Sequence, residues 1–468
     1  LTQALSRRDA LLRRRRLTVV HPHNPLRGEP MIRSPLRTLL PTVLAAGLAL
    51  GAAADDWPQW RGPNRDGKSA ETGLLQEWPE GGPPLAWRTQ GLGSGYASLS
   101  VAGGRIFTTG DLEDGQYVLA LQEDGGELLW KTRVGKAHDE DDERGGARAT
   151  PTVDGDRLFT TNTDGEVLSL DVETGKEIWR RSLVKDYGGF LMKAMGTYEW
   201  RFSESPLVDG RRVVVTPGHV DALMVAFDRD TGKEIWRTKG RPLGPVGADG
   251  AGYSSAVVSE AHGIRHYVQL VGRGLIGADA ETGKLLWNYN RVASEIANIP
   301  TPLIHGNYVF GSAGYGTGSA LVEIEKSGDG LVAEEVYFLD GDTLQNHHGG
   351  LILLDGTVYT GTGHNKGFPI AANFADGKIL WGPIRNQGRD SSAISYADGR
   401  LYFRFADGRM YLVEATPEEY REHGTFVIPE VEKQSWSLQV IANGKLYLRE
   451  QDNLFCYDIL SGGSEEGP

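Results

Sequence analysis

The stretch Asp171–Trp179 reads DVETGKEIW. It recurs as DRDTGKEIW at Asp228–Trp236 and as DAETGKLLW at Asp279–Trp287. Counting back ten, eight, five and four residues from the tryptophan aligns the copies. Those offsets hold Ser169, Asp171, Thr174 and Gly175 before Trp179, and Ala226, Asp228, Thr231 and Gly232 before Trp236. Before Trp287 they hold Gly277, Asp279, Thr282 and Gly283. Trp130 and Trp381 carry weaker copies, with Gly126 and Gly377 four residues upstream. Five copies in phase mark an internal repeat.

Upstream of the copies stand β-rich runs broken by a tight-turn pair, such as VDGDRLFTTN (Val153–Asn162) and LDGTVYTGTG (Leu354–Gly363). Asp-Gly or Asn-Gly between alternating hydrophobics signals a two-residue hairpin. Each unit therefore reads as two hairpin strands, a third strand, the TGK turn and a fourth strand ending at Trp. That is one four-stranded antiparallel blade. The Asp or Thr can hydrogen-bond the turn backbone, Gly accepts a positive φ, and Trp covers the face between neighbouring blades. The phrase specifies geometry, and none of its residues has to touch a ligand.

Segments near Phe338 (VAEEVYF) and Phe426 (GTFVI) read as degraded sixth and seventh markers. Residues Ser435–Leu460 begin a further unit without a Trp strand, while LAWRT (Leu85–Thr89) is an orphan Trp strand. Joining the two removes frayed edges. The expected fold is all-β: an eight-bladed β-propeller over residues 85–460, closed by an N-terminal strand, with seven blades as the alternative.

The ends read differently. Arg33 and Arg37 after Met31, the apolar run Leu39–Leu50 and Ala52-Ala53-Ala54 form a signal-peptide pattern over residues 31–54. The apolar run is shorter than the ~20 residues of a spanning helix. Residues 1–30 are then an extension or misplaced start, 55–84 a lead-in segment, and 461–468 a flexible tail. A soluble periplasmic or secreted protein is expected, monomeric and without a membrane span. The first 54 residues hold nine Arg against Asp9 and Glu29, so their removal takes the formal net charge from −13 to −20. Such a surface disfavours a nucleic-acid partner. Cys456, the one cysteine, excludes an intrachain disulfide.

The repeat resembles that of the pyrroloquinoline-quinone (PQQ) propeller superfamily, which includes quinoprotein alcohol dehydrogenases and the barrel-assembly protein BamB. DWPQWRGPNRDGKS (Asp56–Ser69), SESPLVDG (Ser203–Gly210), NIPTP (Asn298–Pro302) and QNHHGG (Gln345–Gly350) resemble exported BamB-like propellers. The first resemblance implies PQQ with Ca²⁺; the second implies a binding or scaffold protein with a protein partner. The vicinal Cys pair and haem C-x-x-C-H of the dehydrogenases are impossible with one Cys.

Ligand candidates come from the segments leading into each blade's first strand, which crowd one mouth of a propeller channel. They are Tyr96, Arg148, Arg201, Glu204, Tyr253, Asn298, His347, Arg389, Asp390 and Trp436. Arg forks, a flat aromatic and a carboxylate suit a small anionic planar ligand. The same charges could equally pair and rigidify the ring. If the chain is an enzyme, Glu204 or Asp390 is the base for alcohol or sugar oxidation, with Arg201 or Arg389 on the quinone oxygen. No metal site is expected: neighbouring residues of a strand face opposite ways, which puts one of His347 and His348 in the mouth and the other between blades. Both could reach one ion from a loop, but no H-x-H or H-x-x-x-H companion supports it. The acidic run Asp139–Glu143 reads as a solvated insertion.

Overall fold

Why the TGK phrase recurs is visible in its hydrogen bonds. Asp171 Oδ1 accepts from the amide and hydroxyl of Thr174, at 2.9 and 2.6 Å. Asp228 with Thr231 and Asp279 with Thr282 repeat the pattern. The turn then needs a left-handed residue, and Gly175, Gly232 and Gly283 supply φ of 69°, 64° and 69°. These glycines also lie under the tryptophan of the preceding blade. A Cβ on Gly175 would come within 2.5 Å of the Trp130 ring, and one on Gly232 within 2.6 Å of Trp179. The indole nitrogens complete the clasp: Trp179 donates to Arg229 O at 2.9 Å and Trp236 to Ala280 O at 3.0 Å. Small residues face each ring across the strand pair, Ser169 opposite Trp179 and Ala226 opposite Trp236.

The computed structural model describes residues 56–138, 145–193, 200–328 and 330–462. The signal-peptide pattern, the acidic run Asp139–Glu143 and residues 463–468 of the tail lie outside the described residues. Within them the chain forms eight four-stranded antiparallel sheets. Seven follow chain order, at 100–135, 152–182, 207–237, 257–289, 303–340, 351–381 and 392–427. The eighth combines three strands at 440–458 with Leu85–Gln90, which pairs antiparallel with Asn453–Asp458 and sets Trp87 opposite Cys456. Trp87 lies on Gly126 of the first blade, so the clasp continues across the closure. In the fifth blade Phe338 holds the marker register, opposite Ala320. Its neighbour Tyr337 takes over the clasp, lying on Gly377 and donating to Phe374 O at 2.8 Å.

First strands of neighbouring blades touch and line the channel. The cores are apolar seams between sheets, such as Phe159, Trp179, Val213 and Phe227 between the second and third blades. Among the described residues helix is confined to Leu183–Tyr187 and a 3₁₀ turn at Ala261–Gly263.

The lead-in segment crosses the channel. Trp57 pairs with Val101 of the first blade at 2.8 and 2.9 Å. Three residues on, the Trp60 indole donates to Thr301 Oγ1, on the approach to the fifth blade, at 3.0 Å. First and fifth blades stand opposite in a ring of eight. Arg65 donates to Ser205 O and Pro206 O beside the third blade, and Arg61 to Leu351 O of the sixth. Both arginines are buried, and burial lowers each to about 10. Carbonyls take up part of each guanidinium's donors, while Arg61 Nη1 and Arg65 Nε are buried without a hydrogen-bond partner. Gly67 and Ser69 then bond Tyr396 of the seventh blade. The segment is a plug.

The clasp predicts its own failure. Gly232→Ala combines a strained φ with a collision on Trp179 and should cost about 1–3 kcal/mol; Trp179→Ala should cost about 3–5 kcal/mol. Urea unfolding of both variants checks the order.

Candidate functional site

A cavity of about 600 Å³ opens above the plug, with the Trp60 indole among its walls. Each blade begins and ends at this face, so the lead segments meet here. The loops joining second and third strands meet here too, because the second strand returns to the same face. Together they build a collar of rings. Tyr253 touches Trp200 edge-on at 5.6 Å, and Trp200 stacks on Tyr315 at 6.5 Å and 22°. Tyr315 meets His347 at 5.0 Å, His347 meets His348 at 4.8 Å, and His348 meets Trp436 at 5.1 Å. Trp436 meets Tyr96 at 5.0 Å, and the Arg148 guanidinium lies 5.2 Å over the Tyr96 ring. His364 packs on Tyr315 at 4.8 Å and on His347 at 5.4 Å.

Burial favours the neutral form of two of these imidazoles, His347 and His348. Desolvation, with His348 and His364 alongside, lowers His347 to about 2. Desolvation and Arg148 lower His348 to about 4. His347 is also fixed in orientation: Nε2 pairs with the Tyr315 hydroxyl at 3.0 Å and Nδ1 with Ser391 Oγ. A neutral imidazole offers one donor and one acceptor.

The structure divides the ten sequence candidates. Tyr96, Arg148, Tyr253, His347, Asp390 and Trp436 line the cavity. Arg201 and Arg389 are exposed and absent from its lining. Glu204 is buried between the third and fourth blades. Its carboxylate accepts from the Thr216 amide and hydroxyl at 2.6 and 2.9 Å, and from Gln269 Nε2 at 2.8 Å. Burial pushes it up to about 8. Asn298 is fully buried and donates to Val271 O and Gly272 O, both at 3.0 Å. Both residues hold blades together and face no ligand. The separation of His347 from His348 fails as well: their segment is a loop, outside the strand Leu351–Leu354, so strand alternation does not apply and both rings line the cavity.

The sequence reading passed over Trp60, Trp200, Tyr315 and His364. Trp200 stands beside Arg201, the more conspicuous charge on the approach to the third blade. Tyr315 and His364 lie in second-to-third-strand loops, which the topology of a blade puts on the same face as the lead segments. That rule was the available signal.

The family profile described as outer membrane protein assembly factor BamB matches residues 78–182 and 114–383. The chain belongs to this family. Polyvinylalcohol dehydrogenase of Sphingopyxis sp. (strain 113P3) is 24% identical over 485 residues, 82% of this chain and 68% of that protein. Quinohemoprotein alcohol dehydrogenase ADH IIB of Pseudomonas putida is 26% identical over 159 residues, 32% of this chain. BamB of Aliivibrio fischeri (strain ATCC 700601 / ES114) is 33% identical over 88 residues, 18% of this chain. The chain spans only 21% and 22% of these last two relatives. Among solved structures, BamB from Moraxella catarrhalis superposes with a TM-score of 0.53 at 14% identity, covering 81% of this chain and 99% of that one. Quinohemoprotein alcohol dehydrogenase ADHIIG from Pseudomonas putida HK5 gives 0.59 at 15%, covering 88% and 81%. At such identities the likeness is one of fold. No helix among the described residues is long and apolar enough to cross a membrane.

The cavity of this BamB-family propeller does not fit the cofactor of the dehydrogenases. A tricarboxylate is best held by several cationic forks, and among the described residues Arg148 is the one lysine or arginine in the lining. Glu204, a candidate base in the oxidoreductase reading, and the ligand candidate Asn298 are bonded elsewhere. Among the described residues no group of three His, Cys, Asp or Glu could hold a metal ion.

Two stability predictions follow from these burials. His347 and His348 sit below their ordinary 6.5, so the stability of their neutral packing is complete above that pH. It is lost as pH falls toward 4 and then 2. Glu204, raised to about 8, adds stability as pH falls, so the test is a difference: His348→Gln should lose less thermal midpoint than the parent chain between pH 7 and 4. Glu204→Ala strands the Thr216 amide and Gln269, and should cost about 3 kcal/mol in urea unfolding.

Proposed function

We propose that the protein is an exported binding protein that takes a small, uncharged, ring-bearing molecule in the cavity above the plug. The observation that carries this reading is the aromatic collar over a closed floor. Pockets of 300–1,000 Å³ with apolar walls and a few polar groups bind small molecules, and about 600 Å³ falls within that range. One guanidinium and one carboxylate, Arg148 and Asp390, leave the lining without net charge. His347 and His348, held neutral by burial, add none. The anionic ligand expected from the sequence rested on three arginines, two of which point elsewhere in the fold. Export rests on the signal-peptide pattern at 31–54.

Oxidation of alcohols with PQQ is the competing reading, from the relatives named as dehydrogenases. The lining argues against it. Two titrations of the chain from Asp55 onward separate the readings. PQQ with and without Ca²⁺ should give no heat of binding, whereas 2-naphthol, an uncharged planar probe, should bind saturably and lose affinity in Trp436→Ala. Tight Ca²⁺-dependent PQQ binding that Arg148→Ala abolishes would overturn the proposal, as would a failure of 2-naphthol to bind.

A further inference from the structure

The geometry points to a polyhydroxylated ring, a short neutral oligosaccharide, as the ligand class of the cavity. This inference rests on the small-molecule reading above and sharpens it. Three features of the lining converge on it.

The first is the supply of flat faces. Trp60 at the floor and Trp200, Tyr315 and Trp436 in the collar present aromatic planes. A sugar ring has an apolar face of C–H groups that packs on such planes, with hydroxyls projecting around its edge. Aromatic side chains with one apolar body and one polar tip match that division.

The second is the kind of polar group between the planes. Ser203, Ser255, Thr301 and Ser391 contribute hydroxyls, and Asn365 and Gln434 contribute amides. Each is both donor and acceptor, as is each neutral imidazole. A sugar hydroxyl is also both, so it can be satisfied by any of them. Among the lining residues, His348 Nε2 and Trp436 Nε1 are buried without a hydrogen-bond partner, and a purely apolar ring would leave them so, which is costly. An anion would meet Asp390, and a cation would meet Arg148. The balance excludes strongly charged ligands of either sign.

The third is the shape. The plug fastens Trp57 and Trp60 to opposite blades, so a chain entering the mouth cannot thread through along that line. The cavity therefore accepts a short oligomer or a chain terminus, and a continuous polymer lying along the axis is shut out.

Competition with 2-naphthol tests the inference. Neutral cello-, xylo- and malto-oligosaccharides of two to four units serve as competitors, with oligogalacturonate as the charged control and mannitol as the open-chain control. At least one neutral series should displace the probe, mannitol and oligogalacturonate should not, and Trp436→Ala should weaken saccharide binding about tenfold, roughly 1.4 kcal/mol. Tyr315→Phe keeps the plane and removes the hydroxyl, so it should weaken the saccharide more than 2-naphthol. If 2-naphthol binds and no saccharide displaces it, the saccharide inference is wrong while the binding reading stands. Displacement by mannitol as effective as by the rings would replace stacking with hydroxyl recognition alone and overturn the ring class. If 2-naphthol itself does not bind, the binding reading falls first. Circular dichroism of both variants separates lost contacts from lost fold.

Discussion

The contact on which the molecule depends is an indole laid on a glycine of the next blade. Trp130 covers Gly175, Trp179 covers Gly232, and Trp236 covers Gly283. In each case the glycine is required twice, once by the positive φ of its turn and once by the ring above it. The Asp and Thr of the phrase hold the turn in the conformation that presents this glycine. A propeller blade on its own has two exposed faces and two edges. Repetition of one clasp covers the faces, and closure of the ring removes the first and last blade.

Closure and site are coupled through buried arginines. Arg404 of the seventh blade donates to Ser437 O at 2.7 Å and pairs with Glu450 of the eighth at 2.9 Å, both side chains fully buried. Ser435 donates to the same carboxylate, and it lies between Gln434 and Trp436, two cavity residues. Arg449 crosses from the eighth blade to Thr108 Oγ1 of the first at 2.6 Å. These guanidinium groups add to the apolar seams that join the seventh blade to the eighth and the eighth to the first. Removing one partner of such a pair leaves a buried charge, so the closure is directional and tolerates little change. The plug does similar work underneath with Arg61 and Arg65. The collar and floor of the cavity are therefore fixed by the most constrained parts of the ring.

Chemically, the cavity has the character of a recognition site more than of an acid–base site. Burial favours the neutral form of His347 and His348, the lining carboxylate among the described residues is the exposed Asp390, and Glu204, which burial pushes up to about 8, is turned into a blade seam. A perturbed acid buried in a structural network resembles a catalytic one by its pKa alone. Position tells them apart. The family fold is shared with dehydrogenases and assembly factors, and the function belongs to the site grafted on it.

The sequence by itself determined the all-β propeller and its repeated blade, and favoured eight blades with a closing strand over seven, because these follow from local periodicity. A hairpin pair, a turn glycine and a Trp at fixed offset are neighbours along the chain, and each repeat states the same geometry again. It also located the face of the site, since lead segments must meet at one mouth. Only the tertiary structure decided which side chains look inward there. Arg201 adopts φ of 64° and lies exposed, while Trp200 beside it enters the collar. The crossing of the channel by residues 56–69, which makes the cavity blind, joins blades far apart in sequence through backbone carbonyls. No residue pattern encodes such a crossing, because any carbonyl in reach can satisfy a guanidinium, and reach is a property of the closed ring.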